Sequence, residues 1–163
     1  MAPKIVCVAG PTACGKTTLG VLLAQKFNGE VVSVDSMQIY RGMTVGTAAP
    51  TKEEMQGIPH HMIAVADPTE QWSAAEYAAR ATAAVDSILA RGKLPILVGG
   101  TGLWMDALIR GHGFAKGHAG GEVRRELEAQ LARDGIAPLL AELRQVDSES
   151  AARLHSSDTK RIL

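Results

Sequence analysis

Three short runs rich in β-branched and other apolar residues, KIVCVA (4–9), EVVSVD (30–35) and LPILVG (94–99), alternate with longer stretches of helical character. That alternation predicts an α/β domain whose parallel sheet is built from strand–helix–strand units. After Thr17 the apolar positions Leu19, Leu22, Leu23 and Phe27 recur at helical spacing, and Asn28-Gly29 supplies a stop. A second, alanine-rich helix is predicted from Ser73 to Arg91, with Ser73 as its cap and Glu76 completing a capping box. Its alanines predict close packing on the sheet. Further on, VRRELEAQLARDG and PLLAELRQV read as two amphipathic helices, set off by the glycine-rich GHGFAKGHAGG (111–121), a flexible connection. The predicted layout is therefore a core over 1–110, a helical insertion over 111–146, and a segment 147–163 that returns toward the core. The chain stops at DTKRIL in mid-pattern and is read as a fragment.

Composition narrows the class without naming a function. With 163 residues and 46% hydrophobic side chains, the chain suffices for one domain with a real core. The start, MAPKIVCVAG, is too short in apolar residues for a leader, and no segment approaches about 20 apolar residues. A cytoplasmic, monomeric protein without membrane contact is expected. Seventeen basic residues face seventeen acidic ones, and the balance holds on both sides of residue 110. A strongly basic nucleic-acid module is thereby disfavoured, although charge can still segregate by face. Cys7 and Cys14 lack the partners and spacing for a disulfide framework or a zinc site, so reduced thiols are expected.

The chemistry begins at GPTACGKTT, where Gly10, Gly15, Lys16 and Thr17 fit GxxxxGK[ST] between a predicted strand and a predicted helix. Glycines let backbone N–H groups converge on an anion, and the helix N-terminus adds partial positive charge. Lys16 neutralises terminal phosphate oxygens, and the Thr17 hydroxyl can reach Mg2+. The fold class predicted is a P-loop NTPase-like parallel sheet flanked by helices, with a small helical insertion. A nucleotide hydrolase of this fold usually carries a further apolar strand ending in an acid. Here LPILVGG ends in glycine and threonine, and the acid is Asp35, after EVVSV. Asp35 can serve magnesium or face a second substrate as a base; its position in the sequence leaves both open.

Five stretches, GPTACGKTT, DSMQIYRGMTVGTAAP, IPHHMIAVADP, WSAAEYAARA and PILVGGTGLWMDALIRG, occur in the order and spacing of the tRNA dimethylallyltransferases, and the chain resembles that family. They cover about two thirds of the chain, and a weaker match runs through EVRREL and VDSESAARLHSSDTKRIL. Cys14 stands where the family usually has serine, Thr44-Val45 where it commonly has Asp-Ile, and Ala49 where it commonly has lysine. The resemblance implies transfer of the dimethylallyl group of dimethylallyl diphosphate to the exocyclic amine of the adenine next to the tRNA anticodon. It makes Mg2+ the expected cofactor, and dimethylallyl diphosphate and the tRNA anticodon stem-loop the expected partners.

Roles carried over from the resemblance are assigned residue by residue. Gly10, Thr12, Ala13, Cys14, Gly15, Lys16, Thr17, Thr18 and Arg124 are the candidate diphosphate contacts, with Thr17 toward the metal. Asp35 is the candidate general base; Thr101 is a contact to the diphosphate or the adenine, and Lys16 completes the catalytic set. Asp35, Ser36, Met37, Gln38, Thr101, Lys160 and Arg161 form the candidate tRNA-contacting set. Plainer roles compete with these: Asp35 or Thr101 as a helix cap, Arg124 as a solvated charge, and Trp72 and Trp104 as core. His60 and His61, as sequence neighbours, point apart, so buried hydrogen bonding is expected rather than a shared metal. Two rival activities remain, an adenylate-type isopentenyltransferase and a phosphotransferase using ATP.

Overall fold

Each apolar run forms a strand, and a fourth, two-residue strand joins them. β1 (Val6–Ala9), β2 (Gly29–Val34), β3 (His60–His61) and β4 (Leu94–Gly99) make one sheet in the order β1-β4-β2-β3, every pairing parallel. The expected β1 begins two residues late, at Val6, and β2 ends at Val34, which leaves Asp35 just beyond the strand. Residues 4–111 and 121–163 are described in this computed structural model, so most of the connection expected over 111–121 lies outside them. The chain divides into two units, Met1–Gly113 and Phe114–Leu163.

In the first unit, α1 (Lys16–Phe27) and α3 (Ala74–Ala90) pack on the sheet, α4 (Gly102–Arg110) packs on α3, and the single turn α2 (Lys52–Met55) contacts α1. The face by which α1 meets the sheet differs from the apolar spacing in the sequence. Gly20, Val21 and Ala24 are buried, whereas Leu19, Leu22 and Phe27 are about half exposed. Close approach explains the choice, because a Cβ on Gly20 would sit 2.6 Å from Val98 Cγ2. Small residues win the interface because they let helix and strand backbones draw together.

α3 behaves as its alanines predict, burying Tyr77, Ala81, Val85 and Ile88 in the main core with Val32, Val34 and Leu97. Ser73 accepts from Glu76 N, but the return half of the expected capping box is absent: the Glu76 carboxylate pairs with Arg80 at 3.2 Å. The complete box sits at Thr51 and Glu54, at the head of α2. Trp104 is core, stacked on Tyr77 with ring centroids 4.2 Å apart, and the Tyr77 hydroxyl donates to the Ser33 carbonyl. Trp72 is half-buried, with the Arg80 guanidinium 4.3 Å above its ring.

In the second unit, α5 (Glu122–Asp134) and α6 (Ile136–Val146) match the two amphipathic helices. Gly135 joins them at φ 76 and ψ −172, a conformation open to glycine alone. Pro138 falls in the first turn of α6, where a missing N–H costs nothing. α7 (Ser148–Arg153) and α8 (Thr159–Ile162) both pack on α6, around buried Leu139 and Ile162.

Candidate active site

The C-terminal ends of β1, β2 and β4 share one cleft of about 320 Å³, lined by Lys16, Thr17, Asp35, Gln38, Thr47 and Glu54 together with the backbone of the phosphate loop and of Gly99-Gly100. Ligands of open parallel sheets bind at this edge. The volume lies within the range of small-molecule sites, about 300–1,000 Å³.

Three loops make the cleft. The first follows β1 and holds Ala13 at φ 63 and Gly15 at φ 82, both left-handed. Such residues turn successive N–H groups toward one concave side. Gly15 caps α1 without a side-chain hydrogen bond, so the first-turn N–H donors stay open to an anion. The Lys16 ammonium donates to the Pro11 carbonyl and lies 3.8 Å from Cys14 Sγ, folded over its own loop. Cys14 is exposed with a free thiol. Thr12, Ala13, Cys14, Gly15, Lys16 and Thr17 thus line the cleft together, whereas Gly10 and Thr18 flank them outside its lining.

The second loop follows β2. Asp35 Oδ1 accepts from Met37 N at 2.9 Å and from Gln38 N at 3.3 Å, which fixes the carboxylate at the strand end. The third loop follows β4 and is locked to the second: Ser36 N donates to Thr101 Oγ1 at 3.0 Å, and Thr101 N to the Val34 carbonyl at 3.2 Å. Thr101 precedes α4 but makes no capping hydrogen bond, so its hydroxyl serves the β2 loop and not the helix. Gly99 is obligatory here, because a Cβ would lie 2.0 Å from the Val34 carbonyl oxygen.

Gln38 is less free than a tRNA-contacting residue was expected to be. Its Oε1 accepts from Ser33 Oγ at 3.0 Å, and its Nε2 donates to the carbonyls of Thr47 and Ala48 at 3.3 Å each, clamping the wall of the cleft. Met37 is about half exposed. Thr47, Ala48 and Glu54 were missed as cleft residues; the capping pattern Thr51-x-x-Glu54 announces a helix start but not its nearness to the phosphate loop.

Arg124, Lys160 and Arg161 belong to the second unit. Arg124 pairs with Glu128 at 3.1 Å along α5, Arg161 pairs with Asp158 at 3.1 Å, and Lys160 is exposed. Among the described residues no group of three or more His, Cys, Asp or Glu side chains is arranged to hold a metal. Mg2+ needs no such cage: it is commonly held by one or two protein oxygens plus substrate phosphates. Thr17 and Asp35, facing one cleft beside the phosphate loop, fit that demand.

At the opposite end of the sheet lies a buried ionic group that sequence reading missed. Glu30, 3% exposed, bonds to Lys93 Nζ at 2.8 Å, His61 Nε2 at 2.7 Å and Arg91 at 2.6 Å. Burial pushes its carboxyl up, but the bonds to Lys93, His61 and Arg91 prevail and hold it at about 2. His60 and His61 diverge as expected: His60 Nδ1 lies 2.8 Å from the Ile58 carbonyl, away from the Glu30 group.

The family described as IPP transferase matches residues 38–163. The chain is 48% identical over its whole length to a tRNA dimethylallyltransferase of Caldanaerobacter subterraneus subsp. tengcongensis, and 50% identical over 99% of its length to one of Halorhodospira halophila. It covers 52% of each, so it spans about half the length of these curated relatives. Among solved structures it is similar to the full-length tRNA isopentenylpyrophosphate transferase of Bacillus halodurans, at 45% identity and a TM-score of 0.69, over 99% of this chain and 53% of that one. A eukaryotic dimethylallyltransferase acting on tRNA matches at 32% identity and a TM-score of 0.86, over 99% of this chain and 40% of the other.

Proposed function

Because this chain belongs to the IPP transferase family, we propose that its cleft binds dimethylallyl diphosphate and that the whole protein is a tRNA dimethylallyltransferase. The observation that supports the reading is the convergence of Lys16, Thr17 and Asp35 on one cleft, where a loop of open N–H donors and a carboxylate face a shared space. Loop amides, the α1 N-terminus and Lys16 receive the diphosphate and stabilise the charge that grows on it as the allylic carbon–oxygen bond breaks. The bond forms between that carbon and the exocyclic amine of adenine, whose lone pair is delocalised and weakly nucleophilic. The amine proton passes to the Asp35 carboxylate, and the bonding electrons leave with diphosphate. Thr17 would hold a Mg2+ ion, which when bound would supply further neutralisation of the leaving group. The acceptor is the adenine beside the anticodon, extruded from its stack at a cost of a few kcal/mol. We place the protein in the cytoplasm, as a monomer.

Transfer of label from dimethylallyl diphosphate, offered an anticodon stem-loop and AMP in parallel, tests the reading. Label on the stem-loop is expected. Label on AMP alone would make this an adenylate-type enzyme, and ATP turnover without prenyl transfer would make it a phosphotransferase.

A further inference from the structure

We infer that Glu54 is a positioning residue for the divalent cation: its carboxylate accepts a hydrogen bond from a water carried by a Mg2+ ion at Thr17, and this leaves Asp35 free to act as the base. The inference rests on the reading of Thr17 as the residue that would hold the cation. Beside the main cleft lies a second cavity of about 150 Å³, lined by Thr17, Thr18, Ala48, Pro50, Glu54 and Gln56. The two cavities have Thr17, Ala48 and Glu54 in common, so the threonine in the first turn of α1 and this carboxylate residue border both spaces.

Charge is what sets Glu54 apart. The charged side chains lining the main cleft are Lys16, Asp35 and Glu54, one cation against two carboxylates in a space proposed to receive a diphosphate. Asp35 is already steadied by the amides of Met37 and Gln38. Glu54 has no such compensation on its second oxygen: Oε2 accepts from Thr51 N at 2.8 Å in the capping box, and Oε1 has no hydrogen-bond partner among the described residues. Bare, it repels an incoming diphosphate. Capping does not need the charge, because glutamine at this position makes the same reciprocal bond. Its placement is nevertheless fixed from both ends of α2: the box closes the start, and Gln25 Nε2 donates to Gln56 Oε1 at 2.8 Å, which ties the end to α1.

A hydrated cation resolves the conflict. Mg2+ keeps several of its waters and takes only one or two protein oxygens besides substrate phosphates. Those waters are strong donors, and a carboxylate that accepts from one of them steadies the whole shell, as outer-shell partners of metal sites do. With the cation between them, Glu54 and the diphosphate no longer repel but share one positive charge. The sign of the Glu54 contribution to anion binding therefore reverses with Mg2+, whereas a residue that only caps α2 has no sign to reverse.

Inorganic pyrophosphate affinity, measured by calorimetry with and without Mg2+ on the full-length protein, Glu54→Gln and Asp35→Asn, reads that reversal. Without Mg2+, Glu54→Gln should bind pyrophosphate about threefold more tightly than the parent, because a like charge is gone. With Mg2+ it should bind roughly tenfold more weakly. Its melting temperature should stay unchanged, since glutamine keeps the cap. Asp35→Asn should retain the gain from Mg2+, which separates the two carboxylates. An equal gain from Mg2+ in Glu54→Gln and the parent, or a gain lost in Asp35→Asn alone, would overturn the assignment. So would a lower melting temperature with both affinities weakened alike, which would reduce Glu54 to a cap. If the unaltered protein binds pyrophosphate but gains nothing from Mg2+, the cation reading of Thr17 fails and takes the role of Glu54 with it. If it binds no pyrophosphate under either condition, the diphosphate reading of the cleft fails, and this inference falls with that reading.

Discussion

At the C-terminal edge of the sheet the chain places glycines, hydroxyls and a carboxylate, whereas at the N-terminal edge it places Glu30 inside a shell of Lys93, Arg91 and His61. Both edges concentrate polar groups, but they treat them in opposite ways. The Glu30 group closes on itself, each carboxylate oxygen bonded to at least one partner from another segment. The cleft keeps its first-turn N–H donors open and holds Asp35 by one oxygen only. A parallel sheet thus separates fixation from binding along its strands: internal partners tie one edge, and donors without internal partners leave the other ready for an anion. Substitutions at the two edges should divide into losses of stability and losses of function, and the exceptions lie where the cleft loops are themselves braced.

The largest effect is expected at one such exception. Gly99→Ala would press a Cβ to within 2.0 Å of the Val34 carbonyl oxygen and 2.8 Å of its Cα, both backbone atoms at the end of the adjacent strand β2. No side chain can turn aside to admit it. Destabilisation of more than about 4 kcal/mol is expected, seen as loss of the cooperative melt or of expression.

At the other edge, Glu30→Gln keeps the shape of the side chain but leaves Arg91 and Lys93 without their anion. Because those cations are partly exposed and can rehydrate, about 3 kcal/mol of stability should go, with pyrophosphate affinity unchanged. Acid adds a second signature. A carboxyl held near 2 when folded, against an ordinary 4.5, stabilises the protein above about pH 4.5 and loses that contribution as pH falls toward 2. Denaturation midpoints measured across this window should fall in the parent protein, and the Glu30→Gln variant should lack this part of the slope.

Function should fail without stability at Lys16 and Asp35. Lys16→Ala should reduce diphosphate affinity about 100-fold and move the melting temperature little, since the ammonium bonds only its own loop. Asp35→Asn should keep donor affinity and lower single-turnover prenyl transfer by about 100-fold, measured with the full-length gene product. Recovery of that rate in excess Mg2+ would instead make Asp35 a support for the metal.

How well the sequence foretold each edge follows the range of the interactions that build it. The phosphate loop was legible because its chemistry is local: Gly10, Gly15, Lys16 and Thr17 carry both the turn and the charge in eight residues. β1, β2 and β4 were legible as apolar runs. β3 was not, since two histidines become a strand only when β2 offers them an edge. The Glu30 group joins residues 31 to 63 positions apart, and its one signal was an acid opening an otherwise apolar strand. α1 was recognised as a helix but not by its buried face, because apolar spacing does not report which side must be small. Gln38 and Thr101 were singled out for contacts to substrate, whereas the hydrogen bonds they make here brace loops.

Thr101 yields the smallest and most informative effect, because it belongs to both sides of the comparison. Its hydroxyl accepts the Ser36 N–H, and the same Ser36 follows Asp35, so one hydrogen bond ties the β4 loop to the segment that holds the Asp35 carboxylate. Thr101→Val preserves the branched shape and removes the acceptor. An unpaired, partly buried N–H should reduce stability by about 1 kcal/mol, less than any loss at Glu30 or Gly99. Prenyl transfer should slow more than that figure alone explains, since Asp35 depends on Met37 and Gln38 in the same turn for its orientation. Thr101→Ser restores the acceptor and should recover both quantities together. A Val variant that loses stability but transfers at the parent rate would confine Thr101 to the fold; one that keeps its stability and still loses transfer would mean that the hydroxyl meets the substrate directly.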